Sequence, residues 1–144
     1  MRQLLVRDLM TSGVESVHPG STLAELLDLL QERSIRHVPV IDDEGELVGL
    51  VTQRDLLRRS LAARGDLPLT VHEEVVAHRT VDEFMTVGVL TVEPDSPLRE
   101  AAELILDNKL GCLPVVEGVH LVGIITEADF VKHVLEGVSA VSEV

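Results

Sequence analysis

The apolar positions of this chain follow two rhythms. Leu23, Leu26, Leu27 and Leu30 keep the i, i+3, i+4, i+7 spacing of one helix face, and Leu98, Ala101, Ala102 and Ile105 keep it again. Polar signals open both stretches. Thr22 with Glu25 three residues on forms a capping-box pattern, while Ser96 before Pro97 predicts a Ser N-cap with proline in the first turn. The second rhythm is shorter. Residues 38–41 and 47–52 are apolar runs around the acidic, glycine-containing segment Asp42-Asp43-Glu44-Gly45-Glu46, which predicts a β-hairpin. Residues 113–116 and 120–126 repeat that arrangement around Glu117-Gly118. A candidate strand at 15–18 ends before Pro19, and helices are expected over 53–63 and 127–136. Residues 64–69 read as a linker, followed by an extra short helix over 70–79 with Thr70 and Glu73 as a capping box.

These elements occur twice because the sequence is duplicated. Asp8-Leu9-Met10-Thr11 recurs as Glu83-Phe84-Met85-Thr86, and Val17-His18-Pro19-Gly20-Ser21 as Val92-Glu93-Pro94-Asp95-Ser96, both 75 positions on. His37-Val38-Pro39-Val40 matches Cys112-Leu113-Pro114-Val115 at the same offset. Val48-Gly49-Leu50-Val51-Thr52-Gln53-Arg54-Asp55 matches Val122-Gly123-Ile124-Ile125-Thr126-Glu127-Ala128-Asp129 at an offset of 74. The lost residue falls in the hairpin turn. The division is residues 1–63, a linker with the short helix at 64–80, and residues 81–144. One β-α-β-β-α unit of this size buries too little apolar surface to stand alone, so the two are expected to share one α/β module.

Composition narrows the chemistry. Phe84 and Phe130 are the only aromatic residues among 144, and both align with leucines of the other copy, so the core is aliphatic. The formal charge of −13 argues against nucleic acid, which is bound mainly by neutralising phosphates with Lys and Arg. A single cysteine, Cys112, precludes an internal disulfide framework, and no stretch approaches a membrane span or a signal peptide. The expected setting is a cytoplasmic, soluble one.

The ordered set Met-Thr, Val-x-Pro-x-x-x-Leu, Val-Pro-Val or Leu-Pro-Val, then Gly-h-h-Thr-x-x-Asp (h, hydrophobic), present twice, resembles the tandem cystathionine-β-synthase (CBS) domain pair, or Bateman module. The resemblance implies two repeats packed sheet to sheet about a pseudo-twofold axis. It also implies a regulatory adenosine-type ligand (AMP, ADP, ATP or S-adenosylmethionine, with or without Mg²⁺) in clefts between the repeats. Carried over, the ribose and phosphate contacts are Thr52 and Asp55 in one copy and Thr126 and Asp129 in the other. An ionised carboxylate suits the cis-diol of a ribose because it accepts from two hydroxyls. The same Asp and Thr positions also suit ordinary helix caps. Phosphate candidates are Arg36, His37, Arg54 and Lys109, and they break the symmetry: the second copy has Gly111 and Cys112 near its Pro strand and Glu127 after its Thr. The Asp55 site is therefore expected to be the better phosphate site. Adenine-pocket candidates are Thr11, Val14, Val17, Thr86, Val89 and Val92, positions that serve equally well as core.

Catalysis finds little support. In His72-Glu73-Glu74-Val75-Val76-Ala77-His78 the histidines are six apart, about 600° of helical turn, and do not share a face as H-E-x-x-H requires. No nucleophile elbow or P-loop is present, and neither a catalytic cofactor nor a metal is called for. The expectation is a stand-alone sensor that homodimerises through an aliphatic stripe (Leu56, Leu57 and Leu61, or Phe130 and Val134) and acts on an unknown effector. The alternatives are a ligand-free dimerisation scaffold, or a metal- or nucleic-acid-binding member of the same family.

Overall fold

The structure, a computed structural model, describes residues 3–33, 35–54, 56 and 78–142. Its elements are α1 (Val6–Leu9), β1 (Thr11–Ser12), α2 (Leu23–Arg33), β2 (His37–Ile41), β3 (Leu47–Thr52), a 3₁₀ turn over Val81–Glu83, α3 (Leu98–Asn108), β4 (Cys112–Glu117), β5 (His120–Thr126) and α4 (Glu127–Ser142). Helical backbone also begins at Gln53 and Arg54. The expected short helix at 70–79 and most of the 53–63 helix lie outside the described residues, as do Asp55, Leu57 and Leu61.

The chain gathers into two compact units: Met1–Val14 with Leu90–Val144, and Glu15–Val89. We call them unit 1 and unit 2. Each therefore takes its opening Met-Thr segment from the other sequence repeat. In unit 2, β2 and β3 form an antiparallel hairpin from His37 opposite Thr52 to Ile41 opposite Leu47, with a register shift between Val40 and Ile41. Val17 adds a parallel bridge to Val40, with Val17 N–H donating to Pro39 O at 3.1 Å and Ile41 N–H to Val17 O at 2.9 Å. On the other edge Thr86 pairs with Leu50. Unit 1 repeats the pattern: Cys112 lies opposite Thr126 in the β4–β5 hairpin, Val92 bridges Val115 in parallel, and β1 pairs with Ile124 and Gly123. The strand expected at 15–18 is thus a single bridged residue, because Pro19 has no N–H to extend it.

The two hairpin turns account for the offset change. Asp42–Glu46 links Ile41 to Leu47 with five residues, whereas four link Val116 to Leu121. Asp42 Oδ1 accepts from the N–H groups of Glu44 and Glu46, both at 2.9 Å, and so ties its turn together.

The capping box at α2 forms: Glu25 N–H donates to Thr22 Oγ1 at 3.2 Å and Thr22 N–H to Glu25 Oε2 at 3.3 Å. Ser96 is a correction. Pro97 itself occupies the N-cap of α3, and Ser96 Oγ accepts from Glu93 N–H at 3.1 Å, the turn that Ser21 makes with His18 in the other copy. A second correction concerns the α2 stripe. Leu23, Leu26 and Leu30 are buried, but Leu27 is 41% exposed, so the buried face is narrower than the spacing suggested.

Each unit has its own aliphatic core. Leu23, Leu26, Leu30, Val38, Val40, Val51, Leu56, Val81 and Phe84 form that of unit 2. Val6, Val92, Ala101, Ile105, Leu113, Val115 and Ile125 form that of unit 1, with Phe130 packed against it. Both phenylalanines serve the cores, as their alignment with leucines implied.

Candidate functional site

The glycine of each Gly-h-h-Thr strand is explained by what crosses it. A Cβ on Gly123 would lie 2.9 Å from Thr11 O and 3.0 Å from Met10 Sδ; on Gly49 it would lie 2.8 Å from Met85 Sδ and 3.0 Å from Thr86 O. Only glycine lets the Met-Thr segment of the other repeat lie this close to the strand. That segment therefore runs three residues away, along the strand, from the motif threonine.

Thr126 ends β5 and caps α4. Asp129, the third residue of that helix, reaches back so that its Oδ2 accepts from Thr126 N–H at 2.8 Å and from Thr126 Oγ1–H at 3.2 Å. The bond from the Thr126 N–H is the N3 half of a capping box, in which the side chain at N3 accepts from the N-cap backbone. It holds the carboxylate, half-buried, at the positive end of a helix of 16 residues, and neither bond uses Oδ1. The capping reading of Asp129 and the ligand reading are therefore compatible: one oxygen fixes the group and the other remains an acceptor.

The hairpin brings the asymmetric residues to the same place. His37 is opposite Thr52, and Gln53 N–H donates to Arg36 O at 2.9 Å; in the other unit Cys112 is opposite Thr126, and Glu127 N–H donates to Gly111 O at 3.0 Å. Arg36 and Arg54 are exposed, and neither takes part in an ion pair among the described residues. Arg36, His37, Thr52 and Arg54 thus cluster at one end of the hairpin of unit 2, where Asp55 would follow. Lys109 belongs to unit 1, exposed at the left-handed C-cap of α3 with φ 54°. Burial pushes the Cys112 thiol up to about 12, which keeps it protonated and excludes it as a ready nucleophile.

Of the adenine-pocket candidates, Thr11 and Thr86 are exposed on the crossing segments, and Val14, Val17 and Val89 are half-buried. Val92 is 4% exposed and is a core residue of unit 1. Sequence reasoning missed Met10 and Met85, whose sulfurs cover the motif glycines; the signal available was the pairing of a Met-Thr with a strand glycine in both copies.

Among the described residues, Asp42, Glu44 and Glu46 form an acidic group with carboxylate oxygens within 4.8 Å of one another, at the far end of the hairpin from Thr52. The turn that Asp42 ties is sufficient to gather them. No described helix is long and apolar enough to cross a membrane.

Comparison with known proteins bears on the fold and its duplication. The CBS domain model matches the chain twice, over residues 6–62 and 81–136. The CBS domain-containing protein YhcV of Bacillus subtilis is 28% identical over 135 residues, which cover 94% of this chain and 89% of that protein. Two further curated relatives are longer: the chain spans 41% of an uncharacterized Methanocaldococcus jannaschii protein and 24% of a Methanohalobium evestigatum homoserine O-acetyltransferase. Among solved structures, AcuB of Vibrio cholerae has a TM-score of 0.82 at 32% identity, with 99% of this chain and 98% of that one covered. CBSX2, solved in complex with AMP, has a TM-score of 0.77 at 32% identity, covering 92% and 96%. The CBS domain pair of MJ0100, solved with 5′-methylthioadenosine and S-adenosyl-L-methionine, has a TM-score of 0.77 at 26% identity, covering 94% and 98%.

Proposed function

The chain belongs to the CBS-domain family, and we propose on that premise that it is a regulatory module that binds an adenosine compound at the Thr-to-Asp segment of each unit. The observation that carries this reading is the seating of Asp129. Its carboxylate is fixed through one oxygen by Thr126 at a helix start, with Oδ1 left to accept a ribose hydroxyl. Asp55 holds the corresponding position after Thr52. AMP on CBSX2 and the methylthioadenosine and S-adenosylmethionine on MJ0100 support the ligand class.

The proposal gives each candidate residue a role. Asp55 and Asp129 accept from ribose hydroxyls. Thr52 and Thr126, with the N–H groups at their helix starts, face the ligand's 5′ end. Arg36, His37 and Arg54 favour phosphate in unit 2. Thr11, Val14, Val17, Thr86 and Val89 supply aliphatic and backbone surface for adenine. Mg²⁺ would accompany a di- or triphosphate only. No reacting group or catalytic cofactor is needed, because the ligand acts by shifting populations in proportion to its differential affinity for two states. A homodimer transmitting that shift to an effector protein in the cytoplasm completes the proposal.

Isothermal titration with AMP, ADP, ATP and S-adenosylmethionine tests it. At least one should bind the wild type. Asp129→Asn, which retains a carbonyl oxygen for the cap, should lose about tenfold or more of the affinity of the unit 1 site while melting close to wild type. Affinities unchanged in both Asp55→Asn and Asp129→Asn would contradict the assignment.

A further inference from the structure

The two Thr-to-Asp segments follow matched hairpin ends and carry opposite charge. We infer that they select different ligands: the segment of unit 2 takes an adenosine carrying a 5′-phosphate, and that of unit 1 takes an adenosine compound without one. This rests on the adenosine-binding reading above and adds the chemical class for each site.

The argument proceeds position by position through the matched hairpins. Where the Arg36 carbonyl accepts from the Gln53 N–H, the Gly111 carbonyl of unit 1 accepts from the Glu127 N–H. The cation is gone from an otherwise unchanged contact. Opposite the motif threonine, His37 is replaced by Cys112, a buried group without charge. Arg54, two residues beyond Thr52, corresponds to Ala128, and Gln53 corresponds to Glu127, an exposed carboxylate at the first position of α4. Counting Arg36, Arg54 and Asp55, the segment of unit 2 carries one net positive charge. Glu127 and Asp129 against Lys109 leave that of unit 1 with one net negative charge.

Two effects compete at a helix start. Its N–H groups favour an anion through the backbone, whatever the side chains are. The side chains differ by whole charges within a few residues of that start, inside the roughly 8 Å over which physiological salt leaves charges unscreened. A phosphate dianion feels that difference twice over, and an uncharged 5′ group does not feel it. The side chains therefore decide which ligand wins in which unit.

Adenosine and AMP, identical except for the phosphate, are the probes. Titrations would use the full chain as Asp55→Asn, which leaves the unit 1 site, and as Asp129→Asn, which leaves that of unit 2. The Asp55→Asn protein should bind adenosine about tenfold tighter than AMP, and the Asp129→Asn protein should show the reverse order. Adding Glu127→Arg, an exposed change, to the Asp55→Asn protein should bring AMP to parity with adenosine or better, and raising the salt should weaken that gain. AMP binding as tightly as adenosine in the Asp55→Asn protein, or a ratio unmoved by Glu127→Arg, would overturn the inference while leaving the module an adenosine binder. If neither probe nor any ligand of the larger panel bound the wild type, the reading beneath it would fall as well.

Discussion

Gly49 and Gly123 are placed where one added carbon would meet backbone of another strand, and the neighbours differ in how readily they move. Against Gly123 the nearest atom is the carbonyl of Thr11, held in the β1–β5 pairing; against Gly49 it is the flexible end of Met85, with the Thr86 carbonyl just behind. Gly123→Ala should destabilise the fold by about 1–3 kcal/mol, as overpacking does, and Gly49→Ala by less. Gly137 in α4, with nothing within 4 Å of an added Cβ, provides the control: Gly137→Ala should stabilise by up to about 1 kcal/mol. Urea unfolding of the three variants checks the order. Cys112 makes a pH prediction. Its thiol is raised from 9.0 to about 12 by burial, so above pH 9 the unfolded chain releases a proton that the folded one retains. The stabilisation is complete below pH 9 and fades as pH climbs toward 12. Cys112→Val should flatten that decline in melts across this range, and an equally steep fall in both proteins would contradict it.

At the scale of elements, the hairpins and helices were legible where local chemistry decides. The Thr22–Glu25 box, the paired apolar runs and the glycine turns all formed because each is settled by a few neighbouring residues. Ser96 was misread because Pro97 took the cap, and the 15–18 strand because Pro19 stops it after one bridge. The expected dimer stripe divides. Leu56 is core and Phe130 half-buried, while Val131, Val134, Leu135 and Val138 on α4 are each more than half exposed at i, i+3, i+4, i+7 spacing. We propose this face, which keeps Val134 of the second stripe read from sequence, as the dimer contact. Val134→Glu should then shift the protein toward monomer in sedimentation equilibrium without loss of helicity, whereas an unchanged association would remove α4 from the interface.

At the scale of the whole chain, the duplication was legible because it is written in the residues, and the compact units were not. Each unit borrows its Met-Thr segment from the other repeat, so Thr11 lies beside Ile124 and Thr86 beside Leu50. No periodicity encodes a partner 113 positions away (Thr11 to Ile124); its trace is the unsubstituted glycine in each strand. The candidate threonines and Asp129 were read from the family pattern. The capping geometry that holds Asp129, and the register that sets His37 and Cys112 opposite the threonines, required coordinates. The most direct test of the central claim is thermal unfolding with and without adenosine, AMP, ATP and S-adenosylmethionine, followed by calorimetry because the chain has no Trp or Tyr. A ligand at about 100 times its dissociation constant should add roughly 2.7 kcal/mol and raise the melting temperature. The account predicts that the gain shrinks in Asp55→Asn or Asp129→Asn and vanishes when both are changed. A shift that survives the double substitution, or no shift with any of the four, would contradict it.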